Sequence, residues 1–257
     1  MRCVNILRLG RRPGLGRRPG LWRRPGLWRR LELGRRLGIG IVLAFVLCAA
    51  SRAAHADVAG DLAAATAALP ACDPARAHCI GLQLHVTVDD AGLIATADWL
   101  AAQLAAANHH FAPLDVGFQV VGIDTLPASA AHIATRRDRN ELAGDRLHGT
   151  VIHVFVIGVL DDVDVAGETR FGVAWHLPKS DRKYVILSIQ ARERVLAHEL
   201  GHVFGLPHST YAISIMNKTE RKEPPMEQRT FAGEEIAAMR PGLQRLLRDK
   251  LIADLKP

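Results

Sequence analysis

The sequence predicts one α+β domain with a mixed, twisted sheet over residues 57–257. Three observations lead to this fold class. Strand-like and helix-like segments follow in the order strand, helix, several strands, helix, loop and helix. No internal repeat occurs after residue 57, and no stretch of this region has the composition of a linker. The 201 residues are enough to bury one good-sized core.

The N-terminal half of the domain contains most of the predicted strands. Apolar residues alternate with other residues through the first strand, at Ile80, Leu82, Leu84, Val86 and Val88. An alanine-rich segment with apolar residues at helical spacing then predicts a long helix over 93–111. Further strands are predicted over 116–123, 150–160, 170–176 and 184–190. The polar stretch 124–149 predicts one short helix, around 138–147.

Two helical regions are predicted in the C-terminal part. The first begins near Ala191 and ends at Gly205, because glycine suits the left-handed turn that ends many helices. The second covers 232–255 and is interrupted at Pro241-Gly242. It carries an apolar stripe formed by Leu243, Leu246, Leu247, Leu251 and Leu255. We expect this stripe to pack on the core; a partner helix or a membrane surface is the alternative.

The net charge of +7 is confined to the N-terminal segment. Residues 1–56 hold 13 arginines against one acid, which gives +12, whereas 57–257 hold 20 basic against 25 acidic residues, which gives −5. From Arg11 to Gly40 the chain has a six-residue period rich in Arg, Pro and Gly, which cannot build a core. The domain itself has no basic stripe, so we expect no nucleic-acid binding.

An apolar segment and a run of small residues follow this repeat. Leu37–Ser51 is uncharged, and its 15 residues fall short of a membrane-spanning helix. Ala54-His55-Ala56 has the small-x-small pattern that precedes cleavage by a signal peptidase. Residues 1–56 are therefore predicted to be an Arg-rich leader and signal peptide, with a retained membrane anchor as the alternative. We expect a secreted or periplasmic monomer with no stable membrane span after cleavage.

Cleavage after Ala56 leaves two of the four cysteines, Cys72 and Cys79. An even pair in an exported protein favours a disulfide, here closing a small loop near the mature N-terminus. The alternative is a thiolate that caps a metal ion until it is displaced, although no motif supports that arrangement.

The segment AHELGHVFGLPHS, residues 197–209, contains three histidines. On a helix, His198 and His202 lie about 40° apart on one face, while the apolar residues fall on the opposite half and can pack into the domain. Two imidazoles one turn apart can bind one zinc ion. Gly205 lets the chain reverse after the helix and bring back His208 as a third nitrogen ligand.

Three protein ligands leave one position of zinc open, as is typical of catalytic rather than structural sites. Glu199 is about 100° round the helix from His198, too far to be the obvious third ligand. Its carboxylate can still reach a water on the metal. Since zinc lowers the pKa of such a water toward ~7, Glu199 can take its proton.

The motif HELGHVFGLPH resembles the zinc signature of the metzincin metallopeptidases. Ser209 after the third histidine, and Met216 eight residues after His208, are similar to the matrixin branch. In this family a methionine in a tight turn lies beneath the metal as a hydrophobic floor, so the resemblance gives that role to Met216. It also implies a metzincin-like catalytic domain with an active-site helix and a C-terminal helix. The strong similarity covers 197–217, and a looser one covers most of 80–250.

The segment FGVAWHLP, followed by YVILSI, is similar to the edge strand and the next strand of matrixin-like domains. Such an edge strand pairs with an extended peptide substrate. The resemblance therefore implies substrate contacts at Gly172, Val173, Ala174 and Trp175. The sequence departs from the family in three ways. It has no cysteine-switch motif, the pattern of a second, structural zinc is not recognisable, and Lys218 stands where some metzincins have a metal-assisting tyrosine.

An acidic loop is a second candidate metal site. Its carboxylates belong to Asp161, Asp162, Asp164 and Glu168 in the segment DDVDVAGE. Oxygen-rich loops bind calcium, but acidic turns are also common at the surface without any ion. Both interpretations stay open.

The sequence thus leads to the hypothesis of an exported zinc endopeptidase that acts on peptides or proteins. His198, His202 and His208 bind one catalytic zinc, and Glu199 is the general base. The alternative is a secreted zinc-containing module that recognises peptides without turnover. Glu199 argues against this alternative, because binding alone needs no base. The substrate is not predicted, since specificity depends on the shape of a pocket walled by 209–226.

Overall fold

A computed structural model describes residues 58–178 and 180–256. The predicted leader, the signal peptide with its cleavage site and the alternative of a retained anchor lie outside these residues. Within the part of the chain that is described, no helix is long and apolar enough to cross a membrane.

A mixed sheet of six strands forms the centre of the domain. The strands are β1 (His78–Asp89), β2 (Gly92–Leu93), β3 (Val116–Leu126), β4 (His132–Ile133), β5 (Ile152–Ile157), β6 (Val159–Leu160), β7 (Gly172–His176) and β8 (Lys183–Ser188). β3, β1, β5 and β8 run parallel, β7 pairs antiparallel with β8, and β2 pairs with the end of β1. β4 and β6 form a separate pair. The predicted strand 150–160 is therefore divided at Gly158, where β5 ends.

Five helices accompany the strands in the described residues. They are α1 (58–68), α2 (Ala97–Phe111), α3 (Arg136–Ala143), α4 (Val195–Val203) and α5 (Gly233–Arg248). α2 begins at Ala97 because the Thr96 side chain accepts a hydrogen bond from the Trp99 backbone N–H. The predicted start at Leu93 was too early, since that residue belongs to β2. α3 begins at a capping box between Thr135 and Asp138.

Alternate residues of the central strands pack on opposite faces of the sheet. In β5, Val154 and Val156 belong to the main core with α2, α4 and α5, whereas Phe155 and Ile157 belong to a smaller core beneath α3. Every residue of β5 is therefore buried, as expected for a strand covered on both faces. These observations confirm the predicted α+β class with a mixed sheet.

The predicted interruption of the last helix is wrong. α5 continues through Pro241, which lies on the exposed face, where water can satisfy the carbonyl group that loses its N–H partner. A side chain at Gly242 would collide with the Phe204 carbonyl group, so this glycine allows α5 to approach the end of α4 closely. The helix ends at Arg248, and Leu255 lies beyond it with 42% of its surface exposed. The prediction that the apolar stripe packs on the core is confirmed for Leu243 and Leu246, which are buried in it, but is wrong for Leu255.

One cysteine of the pair precedes β1, and the other lies at its start. A disulfide joins Cys72 to Cys79, and the two Cα atoms are 5.9 Å apart. Neither thiol is free to cap a metal ion. The bridge ties the segment before β1 to the sheet.

Candidate metal centre

α4 carries the first two predicted ligands and is anchored by its apolar face. Leu196, Leu200 and Val203 are buried in the main core. The helix has no side-chain cap of its own, and Gln103 of α2 supplies partners instead. The Gln103 side chain accepts from the Leu196 N–H at 3.1 Å and donates to the Arg192 carbonyl at 3.0 Å. This positioning residue was not predicted from the sequence, because it lies 93 positions before Leu196 and no local pattern marks it.

The turn after α4 brings the third histidine back toward the first two. Gly205 has a φ of +103°, a conformation that favours glycine. His202 donates from Nδ1 to the Leu206 carbonyl at 2.7 Å, which ties the turn to the helix. Potential ligand atoms of His198, His202 and His208 lie within 4.8 Å of one another. The structure therefore brings together all three predicted ligands.

Backbone carbonyl groups fix the Nδ1 atoms of two of the predicted ligands. His198 donates from Nδ1 to Ile215 at 2.7 Å, as His202 does to Leu206. Each bond selects the tautomer whose Nε2 has a free lone pair. Nε2 of His202 lies 3.2 Å from Nε2 of His208, so a cation held between the rings would give these lone pairs a common partner. The donor set fits zinc, which binds imidazole nitrogens and accepts three protein ligands.

The electrostatics favour the neutral imidazoles that a metal requires. Burial, as the largest cause, lowers the pKa of His198 and of His208 to about 4, and it also lowers the pKa of His202. All three rings are therefore uncharged near neutral pH and can act as ligands.

Met216 lies fully buried under α4. A Cβ atom at Gly201 would be only 2.9 Å from the Met216 sulfur, so the helix and the methionine turn need glycine at their contact. The Met216 N–H donates to Ser214 Oγ at 2.8 Å, and Ser214 donates to the buried Glu235 carboxylate on α5 at 2.7 Å. Ser214 and Glu235 thus hold the turn whose Ile215 carbonyl orients His198. Neither residue was predicted from the sequence, because only the fold brings α5 to this turn.

Glu199 lies next to the three imidazoles. It is 5% exposed, and its Oε1 is 4.0 Å from Nε2 of His198. Burial raises the pKa of Glu199 to about 7, while a hydrogen bond from the Ala174 backbone and the positive charge of Lys218 act in the opposite direction. A Cβ atom at Gly172 would lie 3.0 Å from Glu199 Cγ, so the glycine lets β7 approach this carboxylate closely.

The four predicted substrate-contacting residues lie on β7, which forms one edge of the sheet. Only Gly172 lines the cavity beside Glu199. Val173 packs against the smaller core and Ala174 against the main core. The Trp175 Nε1–H donates to Asn140 Oδ1 at 2.8 Å, and the Arg139 guanidinium lies 4.7 Å from the centre of its ring. These side chains support the strand from within, and the backbone of β7 forms the open edge.

The acidic loop does not support the predicted calcium site. Asp162 pairs with Arg170, Asp164 pairs with Arg136, and Asp161 lies 2.9 Å from His132. Glu168 lies 3.7 Å from the same Arg170, so the four carboxylates are directed toward three basic side chains rather than toward one point. Among the residues placed by the structure, only the three histidines form a group that could hold a metal ion.

Residues 129–236 match the model of the matrixin family of peptidases. Archaemetzincin from Methanopyrus kandleri is 18% identical, with a TM-score of 0.46, over 66% of this chain and 98% of that chain. Metalloproteinase-II from Bacteroides fragilis is 17% identical, with a TM-score of 0.44, over 69% of this chain and 60% of that chain. A comparison with curated proteins found no match.

Proposed function

This chain carries a metzincin-like metallopeptidase domain, and from this premise we propose that it is an exported zinc endopeptidase with Glu199 as general base. The observation that carries the proposal is the placement of a buried carboxylate beside three convergent neutral imidazoles. His198, His202 and His208 would hold the zinc ion. When bound, zinc supplies a Lewis acid for the peptide carbonyl and lowers the pKa of a water toward ~7.

Glu199 holds and moves the proton in this proposal. A carboxyl group with a pKa of about 7 can both accept and return a proton near neutral pH. A cation at the neighbouring site favours the charged form and therefore lowers this pKa. Glu199 takes a proton from the attacking water and returns it to the amine that leaves when the peptide bond breaks. A site that only binds peptides needs no such group.

The edge of the sheet supports an extended substrate. β7 has one partner, β8, and its other edge is open within the described residues. An internal segment of a peptide can add to this edge as a further strand, with its backbone held by β7. Because β7 starts at Gly172, next to Glu199, a strand added there passes the metal centre. This geometry favours cleavage within a chain.

The disulfide supports export. Cysteine pairs such as Cys72–Cys79 persist in oxidising compartments outside the cytoplasm. Together with the predicted signal peptide, the pair favours a secreted or periplasmic protein that begins at Asp57. We also propose that the mature protein is a monomer.

The function can be tested with the exported protein. Its measured mass should correspond to a chain that starts at Asp57, it should contain one zinc ion, and it should cleave casein. Glu199→Ala should keep the zinc but lose about 10²–10⁴-fold of the rate, the usual scale for a general base. Equal rates for the two proteins would end the proposed role of Glu199. A zinc-loaded wild-type protein that leaves casein and peptides intact would favour the binding module.

A further inference from the structure

A cavity of about 400 Å³ opens beside the metal centre. His198 and Glu199 line it, whereas His202 and His208 do not, so it lies on the Glu199 side of the three imidazoles. The apolar part of its lining comes from Phe171, Val195, Ile215 and Met226. The part of a ligand side chain that contacts these walls should therefore be apolar.

The polar part of the lining has an excess of positive charge. Arg192, Arg194 and Arg229 contribute to it, against Glu220 and the catalytic carboxylate of Glu199. None of the ion pairs between described residues includes any of these three arginines. Among the described residues, no carboxylate forms an ion pair with these guanidinium groups, and the three arginines outnumber the two acidic side chains of the lining.

Arg229 is the most buried of the three, with 5% of its surface exposed. Its Nε donates to the Pro224 carbonyl at 3.0 Å, and one terminal nitrogen donates to the Arg221 carbonyl at 2.7 Å. These bonds satisfy part of the guanidinium group, which has no ion-pair partner among the described residues. A buried charge without a counterion is costly, and a carboxylate of a bound ligand would remove that cost.

Arg194 lies close enough to the other two arginines to be affected by their charges. Burial lowers the pKa of Arg194 first, and the positive charges of Arg229 and Arg192 lower it further, while the carboxylates of Glu227 and Glu193 act in the opposite direction. Its guanidinium donates to the Met226 carbonyl and so reaches toward the segment that carries Arg229. An anion at this position would meet two or three cations at once.

The position of Glu199 identifies the part of the substrate that enters the cavity. Since Glu199 returns its proton to the leaving amine, the nitrogen of the cleaved bond must lie on the Glu199 side of the metal. The cavity opens on the same side. It therefore receives the side chain of the residue that follows the cleaved bond.

We propose, on the basis of the peptidase function above, that this cavity selects an acidic side chain, glutamate in particular, directly after the cleaved bond. The apolar walls contact the methylene groups of the glutamate, and its carboxylate binds Arg194 and the deeper Arg229. Aspartate is shorter and reaches Arg229 less well. The substrates would then be proteins or peptides with exposed glutamate in extended segments.

The first test compares peptides that differ only at this position. Four peptides with glutamate, glutamine, leucine or lysine after the cleaved bond are incubated with the zinc-loaded mature protein, and kcat/KM is measured from the products. Because a hydrogen bond to a charged group contributes more than a neutral one, glutamate should exceed glutamine by about 10-fold or more, and lysine should be slowest. Equal values for glutamate and glutamine, or the highest value for leucine, would overturn the selectivity but leave the peptidase function intact. Failure to cleave any of the four peptides or casein would count against the peptidase function itself.

The second test changes the charge of the cavity. The double substitution Arg192→Glu with Arg194→Glu should remove the preference for glutamate and raise the rate for lysine. Arg240→Glu makes the same kind of charge change on the exposed face of α5 and should keep the wild-type preference. An unchanged ratio of glutamate to glutamine in the folded double variant would contradict the proposal.

A binding measurement separates recognition from turnover. In calorimetry, zinc-loaded Glu199→Gln protein should bind the glutamate peptide about 10-fold more tightly than the glutamine peptide, the difference expected for one charge-assisted contact. Equal dissociation constants would overturn the assignment of the cavity.

Discussion

Two groups of histidines lie in the same domain, but their nitrogens are used differently. At the metal centre, His198 and His202 donate from Nδ1 to backbone carbonyls, which leaves Nε2 directed toward His208. Between β1 and β5, Nε2 of His85 lies 3.0 Å from Nδ1 of His153, whose Nε2 in turn donates to the His148 carbonyl at 2.9 Å. In the second group, both nitrogens of His153 and Nε2 of His85 are used on one another and on the backbone, while Nδ1 of His85 lies 3.6 Å from the Asp124 carboxylate. No common point is left for a metal ion.

The comparison shows that burial and proximity do not make histidines into ligands. Burial lowers the pKa of His85 to about 4, the same value as for His198, so both rings are neutral near pH 7. The two groups differ in their hydrogen bonds, because only at the metal centre do backbone carbonyls accept from Nδ1 of two rings and leave both Nε2 atoms free. In the sheet, Nε2 of His85 is instead directed at the neighbouring ring of His153, and the Phe155 ring stacks on the face of His85.

The largest expected effect concerns the metal. His202→Ala removes the middle ligand and should abolish stoichiometric zinc binding, a larger loss than the ~10–100-fold that follows removal of a partner hydrogen-bonded to a ligand. His153→Ala removes a buried histidine from the sheet and should leave one zinc per folded chain. Elemental analysis after dialysis, with circular dichroism to verify folding, measures both. Zinc loss in His153→Ala would break the distinction between the two groups.

The second prediction concerns acid stability. Since the pKa of His85 is lowered from 6.5 to about 4 in the folded protein, the unfolded chain binds more protons between these values. The contribution of His85 to the free energy of unfolding is therefore fully present above pH 6.5. It falls by up to about 3 kcal/mol as the pH decreases toward 4. His153 contributes in the same direction, while the nearby Asp124 opposes the shift, and Arg146 and His148 add to it.

Chemical unfolding of the zinc-free protein at several pH values tests this prediction, because zinc release then makes no contribution. His85→Gln should flatten the decline of the free energy of unfolding below pH 6.5. His176→Gln, which removes an exposed histidine at the end of β7, should follow the wild-type curve. Parallel curves for wild type and His85→Gln would show that the sheet histidines do not govern acid stability.

The smallest expected effect concerns the support of His198. Ser214→Ala removes the bonds to the Met216 N–H and to Glu235, whose buried carboxylate then keeps only the Ala232 N–H as a hydrogen-bond partner. We expect the free energy of unfolding to fall by about 1–3 kcal/mol and the zinc affinity to fall about 10-fold. Thr210→Ala, at an exposed position beside the site, should change neither quantity. Thermal melts and zinc titration report the two effects, and unaltered zinc affinity in Ser214→Ala would mean that the turn does not orient His198.

Local patterns in the sequence predicted much of the fold and the ligands of the site. The alternation in β1 and the spacing of His198 and His202 on α4 depend only on neighbouring residues, so they could be read directly. The continuity of α5 could not, because it depends on Pro241 facing water and on Gly242 meeting Phe204.

Long-range contacts account for the functional residues that were missed. Gln103 acts on α4 from another helix, and Glu235 acts on the methionine turn from α5. The lining of the cavity beside Glu199 likewise comes from segments far apart in the chain. No local pattern in the sequence predicts such contacts, because each depends on how two elements pack in the folded protein.

The residues that line that cavity belong to two parts of the chain, and the core constrains one part more strongly than the other. His198 and Glu199 lie on a helix that the core holds fixed, whereas Glu220, Met226 and Arg229 lie on a connection outside the sheet. The connection, and with it the substrate preference, can therefore change during evolution without disturbing the helix that carries His198 and Glu199. A protein engineer has the same opportunity by grafting a different connection between Asn217 and Thr230.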